Sequence, residues 1–568
     1  MTNNNDKYKN HSREELIDEL ETLKKKKYGL IWDKKNSQEM LDAFVNWENV
    51  PENFTPKQFP ILKEVKNKEI ETDKSKPNNL LIEGDNYHSL AVLNFTHQNK
   101  IDVIYIDPPY NTGNKDFIYN DKFIDKENGY RHSMWLNFME KRLKLAKSLL
   151  SKTGVMFVSI DDNEQAQLRM LCAQIFGDDN FESMVWQKTD SRVDKNTNAK
   201  QINRTKRIHE YIFVIYMDKM ATQLNKIMKL PEWKNSGKNP DKDPRGPYEA
   251  GIISFMEGHE KEDRNSDYYY SITLPSGRIV TRHFFVSKGD FDKLDADNRI
   301  YYPKDGDGIP RLKVFEFEEK EYHFESIIRG FGTSSSAKDE IEYLFGDRSL
   351  FDTPKPVKLI KEIIRSSTTR QSTVLDFMAG SGTTGHAVLD LNKEDGGNRK
   401  FILCTNNESN ICTDVCHPRL KKVIKGYKNN KDEDVEGLGG NLKYFKTDFV
   451  KNTNNRDQLK INLTKKCTEI LCVKENIFNL KKDQENYKIF TSNDGNRHLC
   501  IYYNFIDKDF DNFVKDISKL NGGKAVYIFA LNNKIDKKEF KGIPDISFEA
   551  IPYKILEVYE QLVKISKK

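Results

Sequence analysis

Asp107-Pro108-Pro109-Tyr110 joins a carboxylate, a stiff turn and an aromatic face directly after the apolar run Val103-Ile104-Tyr105-Ile106. That run reads as a buried strand. In an open α/β sheet, ligands bind beyond the C-terminal ends of such strands. The two prolines rigidify the turn and remove two N–H donors. What remains is acceptors, a carboxylate and main-chain carbonyls, beside a stacking surface. This set suits a planar group that carries an NH₂. The plainer alternative is a strand that ends in a proline turn with a buried tyrosine.

A second segment, Asp376-Phe377-Met378-Ala379-Gly380-Ser381-Gly382-Thr383-Thr384-Gly385, places glycines between a strand and a helix. Such glycines permit close backbone approach and open helix N-terminal amides to a ligand. Gly380 to Gly385 has the spacing of a phosphate loop, but His386 stands where a lysine must reach the phosphates. Nucleotide hydrolysis is therefore rejected for this segment. Tight strand–helix packing would also use these glycines. Glu408, after the next apolar strand and beside Asn406 and Asn407, is placed to bind ribose hydroxyls.

The elements that must hold these residues follow from apolar runs and helical stripes. Leu80–Ile82, Val103–Ile106, Val155–Ile160, Thr373–Phe377 and Phe401–Cys404 read as strands. Helices are expected over about 134–150, from an Asp162 cap to Phe176, over 357–364 and over 384–391. Continuous apolar strands alternating with helices predict a parallel sheet covered on both faces. Residues 187–330 break the rhythm with polar, aromatic and turn-rich stretches, so they read as an insertion. Residues 1–75 read as a helical preface, with stripes through Leu16, Ile17, Leu20 and Leu23 and through Met40 to Trp47. Residues 448–568 read as a small separate α+β piece behind an Asn/Lys-rich linker near 449–460.

The 568 residues carry 92 Lys and Arg against 87 Asp and Glu, a net charge of +5 that excludes a uniformly basic, histone-like protein. The balance is uneven along the chain. Residues 187–207 hold Lys188, Arg192, Lys195, Lys200, Arg204, Lys206 and Arg207 against Asp190 and Asp194. This segment alone nets +5, so the remainder sums to zero. Arg245, Arg264, Arg278 and Arg282 are weaker candidates for the same role. No apolar run approaches the roughly 18 residues of a membrane span, and the start lacks a secretory pattern, so a cytoplasmic protein without membrane contact is expected. Seven cysteines do not make a disulfide framework, and Cys412, Cys416 and His417 lack a second ligand pair at zinc spacing, so no metal is expected.

Together these motifs resemble the S-adenosylmethionine-dependent amino-methyltransferases of DNA. Asp107–Tyr110 is similar to the catalytic motif of the N6-adenine enzymes, and Asp376–Thr384 to their cofactor motif. The catalytic motif comes first, 269 residues upstream, with an insertion between the two. That order is the family's beta arrangement. Phe351-Asp352-Thr353-Pro354-Lys355-Pro356 resembles the extra cofactor-side motif, and Gly84-Asp85-Asn86 and His209-Glu210-Tyr211 also match. Asn111-Thr112-Gly113 and the long insertion resemble the modification subunit of type III restriction–modification systems. One departure stands out. Met378 occupies the place of the family's phenylalanine, so either Phe377 compensates or Met378 packs against the cofactor.

The resemblance implies a doubly wound, mostly parallel methyltransferase sheet of Rossmann type, formed by residues 76–186 and 331–447 and interrupted by a target-recognition domain over 187–330. It implies S-adenosylmethionine on Asp376, Phe377, Met378, Ala379, Gly380, Ser381, Gly382, Thr383, Thr384, Glu408, Asp352, Thr353 and Lys355. An adenine flipped from double-stranded DNA would stack on Tyr110, while Asp107 and the Pro108 carbonyl accept its N6 hydrogens and Pro109 stiffens the turn. The basic segment 187–207 would contact DNA. A C5-cytosine mechanism would need a nucleophilic cysteine after proline, and no Pro-Cys pair occurs. N4-cytosine methylation stays open, although that branch usually has serine at the position of Asp107. The implied partners are a second copy of the chain and a helicase–endonuclease subunit. A stand-alone methyltransferase and a non-catalytic DNA-binding assembly subunit are the competing readings.

Overall fold

The computed structural model describes residues 12–13, 30–34, 58–113, 116–119, 122–190, 205–229, 238–315, 318, 320–451, 453, 455–504, 509–530 and 534–567. Both expected helices of the preface lie outside these residues, apart from Ser12, Arg13 and residues 30–34. Of the seven basic residues in 187–207, only Lys188, Lys206 and Arg207 are described.

One ten-stranded sheet organises the larger unit, Met1–Asn225 with Glu325–Lys568. Its strands in chain order are β1 (Gln58–Glu64), β2 (Asn78–Glu83), β3 (Ile101–Ile106), β4 (Leu150–Ile160), β5 (Phe181–Gln187), β6 (His209–Tyr216), β7 (Ile327–Ile328), β8 (Thr373–Asp376), β9 (Lys400–Thr405) and β10 (Asn441–Lys451). Across the sheet they run β1-β10-β2-β9-β8-β3-β4-β6-β5-β7. From β10 to β4 every pair is parallel. β6 pairs antiparallel with both β4 and β5, and β1 antiparallel with β10. The sheet is thus mostly parallel and doubly wound, as expected. Val103, Ile104, Ile106, Val374, Leu375, Phe401 and Leu403 are fully buried, which explains their unbroken apolar runs.

The helices that matter to the site are α1 (Asn86–Thr96), α2 (Arg131–Leu149), α3 (Gln165–Phe176), α4 (Ser334–Phe345), α5 (Val357–Ser367), α6 (Thr383–Asp395) and α7 (His417–Lys425). Asp85 caps α1 by accepting the Tyr87 amide at 2.7 Å, and Asn86 accepts from the buried Arg142 of α2. Glu164, not Asp162, stands at the start of α3. Asp162 instead accepts the Tyr211 hydroxyl at 3.2 Å. Its place in the turn after β4 put it two residues too early to cap.

The chain topology makes the binding edge. β3 leads through α2 to β4 on one side, and β8 leads through α6 to β9 on the other, so the strand order reverses between the neighbours β3 and β8. This is the switch point at which open α/β sheets bind ligands.

Residues 226–324 form a second compact unit, narrower than the insertion expected over 187–330. β5 and β6 belong to the central sheet, so the departure begins only after Asn225. Within the unit, Tyr248–Ile252 and Ile300–Tyr301 pair with Arg311–Phe315, and Tyr269–Thr273 forms a hairpin with Ile279–His283. Ile253, Ile272, Leu274, Phe284, Phe291 and Ile300 make its core.

The C-terminal piece does contain its own five-stranded sheet: β11 (Asn479–Asp483), β12 (Tyr487–Thr491), β13 (Arg497–Tyr502), β14 (Gly523–Phe529) and β15 (Ile546–Ile551). It is not a separate compact unit, however. Leu463, Ile470, Leu471 and Tyr559 share a core with Phe59, Leu90 and Leu93, and the Tyr559 hydroxyl donates to the Pro60 carbonyl. The expected linker near 449–460 is largely the end of β10 and a helix over Arg456–Lys465.

Candidate functional site

Asp107 leaves the end of β3 into a loop that is held at every step. The Asp107 carboxylate accepts from Lys355 Nζ at 2.6 Å and from the Tyr110 hydroxyl at 2.9 Å. The Pro109 carbonyl accepts from Trp135 Nε1 of α2 at 2.7 Å. Asn111, buried and in the left-handed region at φ 56°, donates to Glu164 Oε1 at 2.6 Å. His132 Nε2 accepts from Arg131, so its Nδ1 carries the proton that reaches Glu164 at 2.6 Å. Burial pushes the Glu164 carboxyl up to about 8. The stiffness inferred from two prolines is therefore reinforced by α2, α3 and the segment before α5.

The charges around Asp107 form a closed set. Lys355 Nζ also contacts the Tyr110 hydroxyl at 3.0 Å and Glu210 of β6 at 3.5 Å. Glu210 lies 3.0 Å from the same Tyr110 hydroxyl, an alternative acceptor for its one hydrogen, and accepts from Lys188, just beyond β5, at 3.0 Å. Burial raises the Asp107 carboxyl, and the Lys355 ammonium pulls against that rise. Burial also works against Glu210, but Lys355 and Lys188 outweigh it and hold that carboxyl below the usual range. Burial disfavours the charge on Lys355 too, yet Asp107 and Glu210 outweigh it and the ammonium is retained.

Sequence reasoning placed Lys355 with the cofactor residues and Lys188 with the DNA contacts. In the structure Lys355 lies against Asp107 and Lys188 against Glu210. Arg207 lies 3.2 Å from Asp162, while Arg192, Lys195, Lys200 and Arg204 fall outside the described residues. In the smaller unit, Arg245 pairs with Asp243, Arg278 with Asp307 and Arg264 with Glu262, and Arg282 donates to the Phe255 carbonyl. Glu210 was singled out only as a match to a pattern. Nothing in its spacing from Asp107 announced a contact, because β4 and β6 had to pair first.

The second strand end lies beside the first. Asp376 closes β8, accepts the Thr384 hydroxyl at 2.6 Å and the Met378 amide at 2.9 Å, and is pushed by burial up to about 7. Gly380 and Gly382 take positive φ, 47° and 80°. A Cβ on Gly380 would stand 3.1 Å from the Phe351 ring, and one on Gly382 3.0 Å from Cys416 Sγ. These two positions need glycine for conformation and for space alike. Ser381 and Thr383 turn inward to the fully buried Arg419 of α7, at 3.1 and 3.0 Å. Phe377 is wholly buried in the core, so it cannot compensate for the missing ring; Met378 is the partly buried side chain at that turn. Thus Phe377, Ser381, Thr383 and Thr384 build the loop, while the backbone of Ala379, Gly380 and Gly382 shapes its surface.

Glu408 begins a short turn beyond β9 and is exposed, as are Asp352 and Thr353. Cys412 and Cys416 are buried, and His417 Nε2 lies 2.8 Å from the Lys68 carbonyl. No His, Cys, Asp and Glu group arranged for a metal occurs among the described residues, and no helix among them is long and apolar enough to cross a membrane.

Residues 101–415 match a protein family described as DNA methylase. The Type III restriction-modification enzyme StyLTI Mod subunit of Salmonella typhimurium is 32% identical over 417 residues, which cover 67% of this chain and 62% of that protein. The Type III restriction-modification enzyme EcoPI Mod subunit of Escherichia phage P1 is 30% identical, over 68% of this chain and 64% of its own length. The match thus spans less than two thirds of either Mod subunit. Type II methyltransferase M.KpnI of Klebsiella pneumoniae is 32% identical over 65% of this chain and 90% of its own length.

Proposed function

The chain belongs to the DNA methylase family, and from that premise we propose that it transfers a methyl group from S-adenosylmethionine to the N6 of adenine in double-stranded DNA, as the modification subunit of a type III restriction–modification system. The observation that carries this reading is the pairing of two strand ends. Asp107 with Tyr110 closes β3, and Asp376 with its glycine turn closes the adjacent β8.

The residues fit the cofactor. Two carboxylates at strand ends, Asp376 and Glu408, suit ammonium and hydroxyl groups, and the positive-φ turn through Gly380 and Gly382 offers backbone groups to a ligand at the end of β8. Asp376, Met378, Ala379, Gly380, Gly382 and Glu408 would hold it, with Phe351, Asp352 and Thr353 alongside. Bound there, S-adenosylmethionine supplies an electrophilic methyl group.

The chain's own residues act on the base. An exocyclic amine is a weak nucleophile because its lone pair is delocalised into the ring. Asp107 and the Pro108 carbonyl would accept hydrogen bonds from its two N–H groups, leave electron density on N6 and favour the positive charge that develops as the N6–methyl bond forms and the methyl–sulfur bond breaks, after which N6 releases one proton to water. The Tyr110 face stacks on the flipped base. Because the loop is already braced by Trp135, Glu164 and Lys355, little reorganisation is needed at the moment of reaction. Asp107, rather than serine, supports adenine over cytosine N4.

The test is direct. The purified chain with labelled S-adenosylmethionine and unmethylated DNA should yield N6-methyladenine in the nucleoside digest. N4-methylcytosine alone would overturn the choice of base, and no label in DNA would overturn the activity. A second reading, a stand-alone enzyme, is favoured by the 90% coverage of M.KpnI. Co-purification with a helicase–endonuclease from the native cell separates the two. Homodimer formation and DNA contact by the 187–207 segment are further parts of the proposal, checked by sedimentation and by the salt dependence of binding.

A further inference from the structure

The four-charge set at β3, β5, β6 and α5 is more than the proposed reaction needs. Two acceptors and an aromatic face suffice to take an amine. Yet Lys355 lies on Asp107, Glu210 on Lys355 and Lys188 on Glu210, with Lys355 and Glu210 buried and Asp107 and Lys188 partly so. Burying four charges is costly unless their geometry is put to use.

We propose that Lys355 is a positioning residue for Asp107: the lysine grips one carboxylate oxygen, aims the other at the substrate amine and offsets the repelling charge of the neighbouring Glu210. This rests on the methyltransferase reading and assigns Lys355 to the catalytic carboxylate rather than to the cofactor.

The geometry gives each group a distinct task. Lys355 Nζ grips Asp107 Oδ2 at 2.6 Å, which leaves Oδ1, already touched by the Tyr110 hydroxyl, as the oxygen with a free lone pair. The Tyr110 hydroxyl has one hydrogen and two carboxylate neighbours, Asp107 at 2.9 Å and Glu210 at 3.0 Å. It accepts from Lys355 and can donate to only one of them at a time. With the lysine present one ammonium faces both carboxylates and favours the charge on each. Without it, two acids would face each other across one hydroxyl, the arrangement in which a pair retains a proton. The charged and titratable groups that face Asp107 enter this balance directly, and Lys188 enters it through Glu210. Tyr105 lies on β3, Tyr110 on the loop, Asp376 at the end of β8, Glu210 on β6 and Lys355 before α5; of these only Lys355 favours the Asp107 charge by attraction.

Two substitutions should therefore move the acid limb of methyl transfer in opposite directions. Lys355→Met removes the attraction, and the pH at which kcat/KM falls should rise by about one unit or more. Glu210→Gln removes a repelling charge, and that pH should fall. The double variant should lie between them, and Lys355→Arg should restore a limb close to that of the unmodified chain. The ¹³C shift of the Asp107 carboxyl carbon, titrated in each full-length variant, reads the same change without any turnover. Shifts in one direction for both variants, or none, overturn the proposal. So does a Lys355→Met variant whose only defect is weaker cofactor binding. Absence of methyl transfer in the unmodified chain would instead overturn the enzymatic reading, and the carboxyl titration would still decide the placement of Lys355.

Discussion

Asp107 and Asp376 end adjacent parallel strands, both are largely or fully buried, and they live under different electrostatic rules. Asp107 has an ammonium 2.6 Å away, two lysines within its network and a tyrosine hydroxyl on its other oxygen. Asp376 has a threonine hydroxyl, one backbone amide and no cation in contact among the described residues. Burial pushes both up, and only at Asp107 does a charge oppose it. Position in the fold is therefore not enough to define a carboxylate. One has an ammonium in contact that opposes burial, while the other, at about 7, has only hydrogen bonds that hold a turn and sits at the edge of neutrality.

The contrast is broken most severely at the first site. Asp107→Ala should lower methyl transfer by about 10³-fold or more, since a preorganised group aimed at developing charge is lost. Binding of S-adenosylmethionine, followed by calorimetry, should remain within a few-fold. Loss of cofactor affinity in this variant, with turnover preserved at saturation, would reverse the proposed roles of the two strand ends.

Asp376→Ala should do the opposite. It should weaken cofactor binding roughly 10- to 100-fold, because hydrogen bonds to a buried charged group contribute about 1.5–3 kcal/mol each. Saturating cofactor should recover most of kcat. A Kd unchanged by the substitution would remove Asp376 from the cofactor site.

The pH dependence of folding sharpens the comparison further. A free aspartate titrates near ~3.9, and Asp376 in the fold titrates at about 7, so the folded chain holds a proton that the unfolded chain has released between these values. Its contribution to stability is complete below about 4 and is lost as pH rises through about 7. Asp376→Asn cannot titrate, so urea unfolding of this variant should lose a slope on the order of 1 kcal/mol per pH unit within that window. Parallel slopes for variant and parent would show that Asp376 is charged throughout.

The smallest effect is expected behind the first site. Trp135→Phe keeps an aromatic ring and removes the 2.7 Å bond to the Pro109 carbonyl. It should cost about 1 kcal/mol of stability and lower kcat a few-fold through a looser loop. A kcat unchanged despite the stability loss would show that the two prolines alone hold the acceptors in place.

Much of this was legible from local pattern. Strands β2, β3, β8 and β9 were readable because strands buried on both faces carry unbroken apolar runs. The short connections after β3 and β8 were readable because proline and glycine do specific things to a backbone. Asp162 misled because a turn acid near a helix start resembles a cap until the tyrosine that claims it is known. Phe377 misled because its neighbours in sequence do not say which way a strand-end side chain points, and it points into the core. The independence expected of residues 448–568 failed for a similar reason. An apolar residue such as Ile470 looks alike in sequence whether it packs within its own piece or, as here, in the core shared with β1 and α1.

The amino-acid sequence by itself determined the alternation of strand and helix, the two strand-end motifs and their order, and the presence of an insertion. These depend on neighbours a few residues apart. Only the tertiary structure decided that Asp107 and Asp376, 269 residues apart, end adjacent strands, and that Lys355, Glu210 and Lys188 extend a chain of alternating charge from one of them. Strand order is set by how a whole sheet buries its faces, and a charge's partner is set by that order. Neither is written in any short stretch of chain.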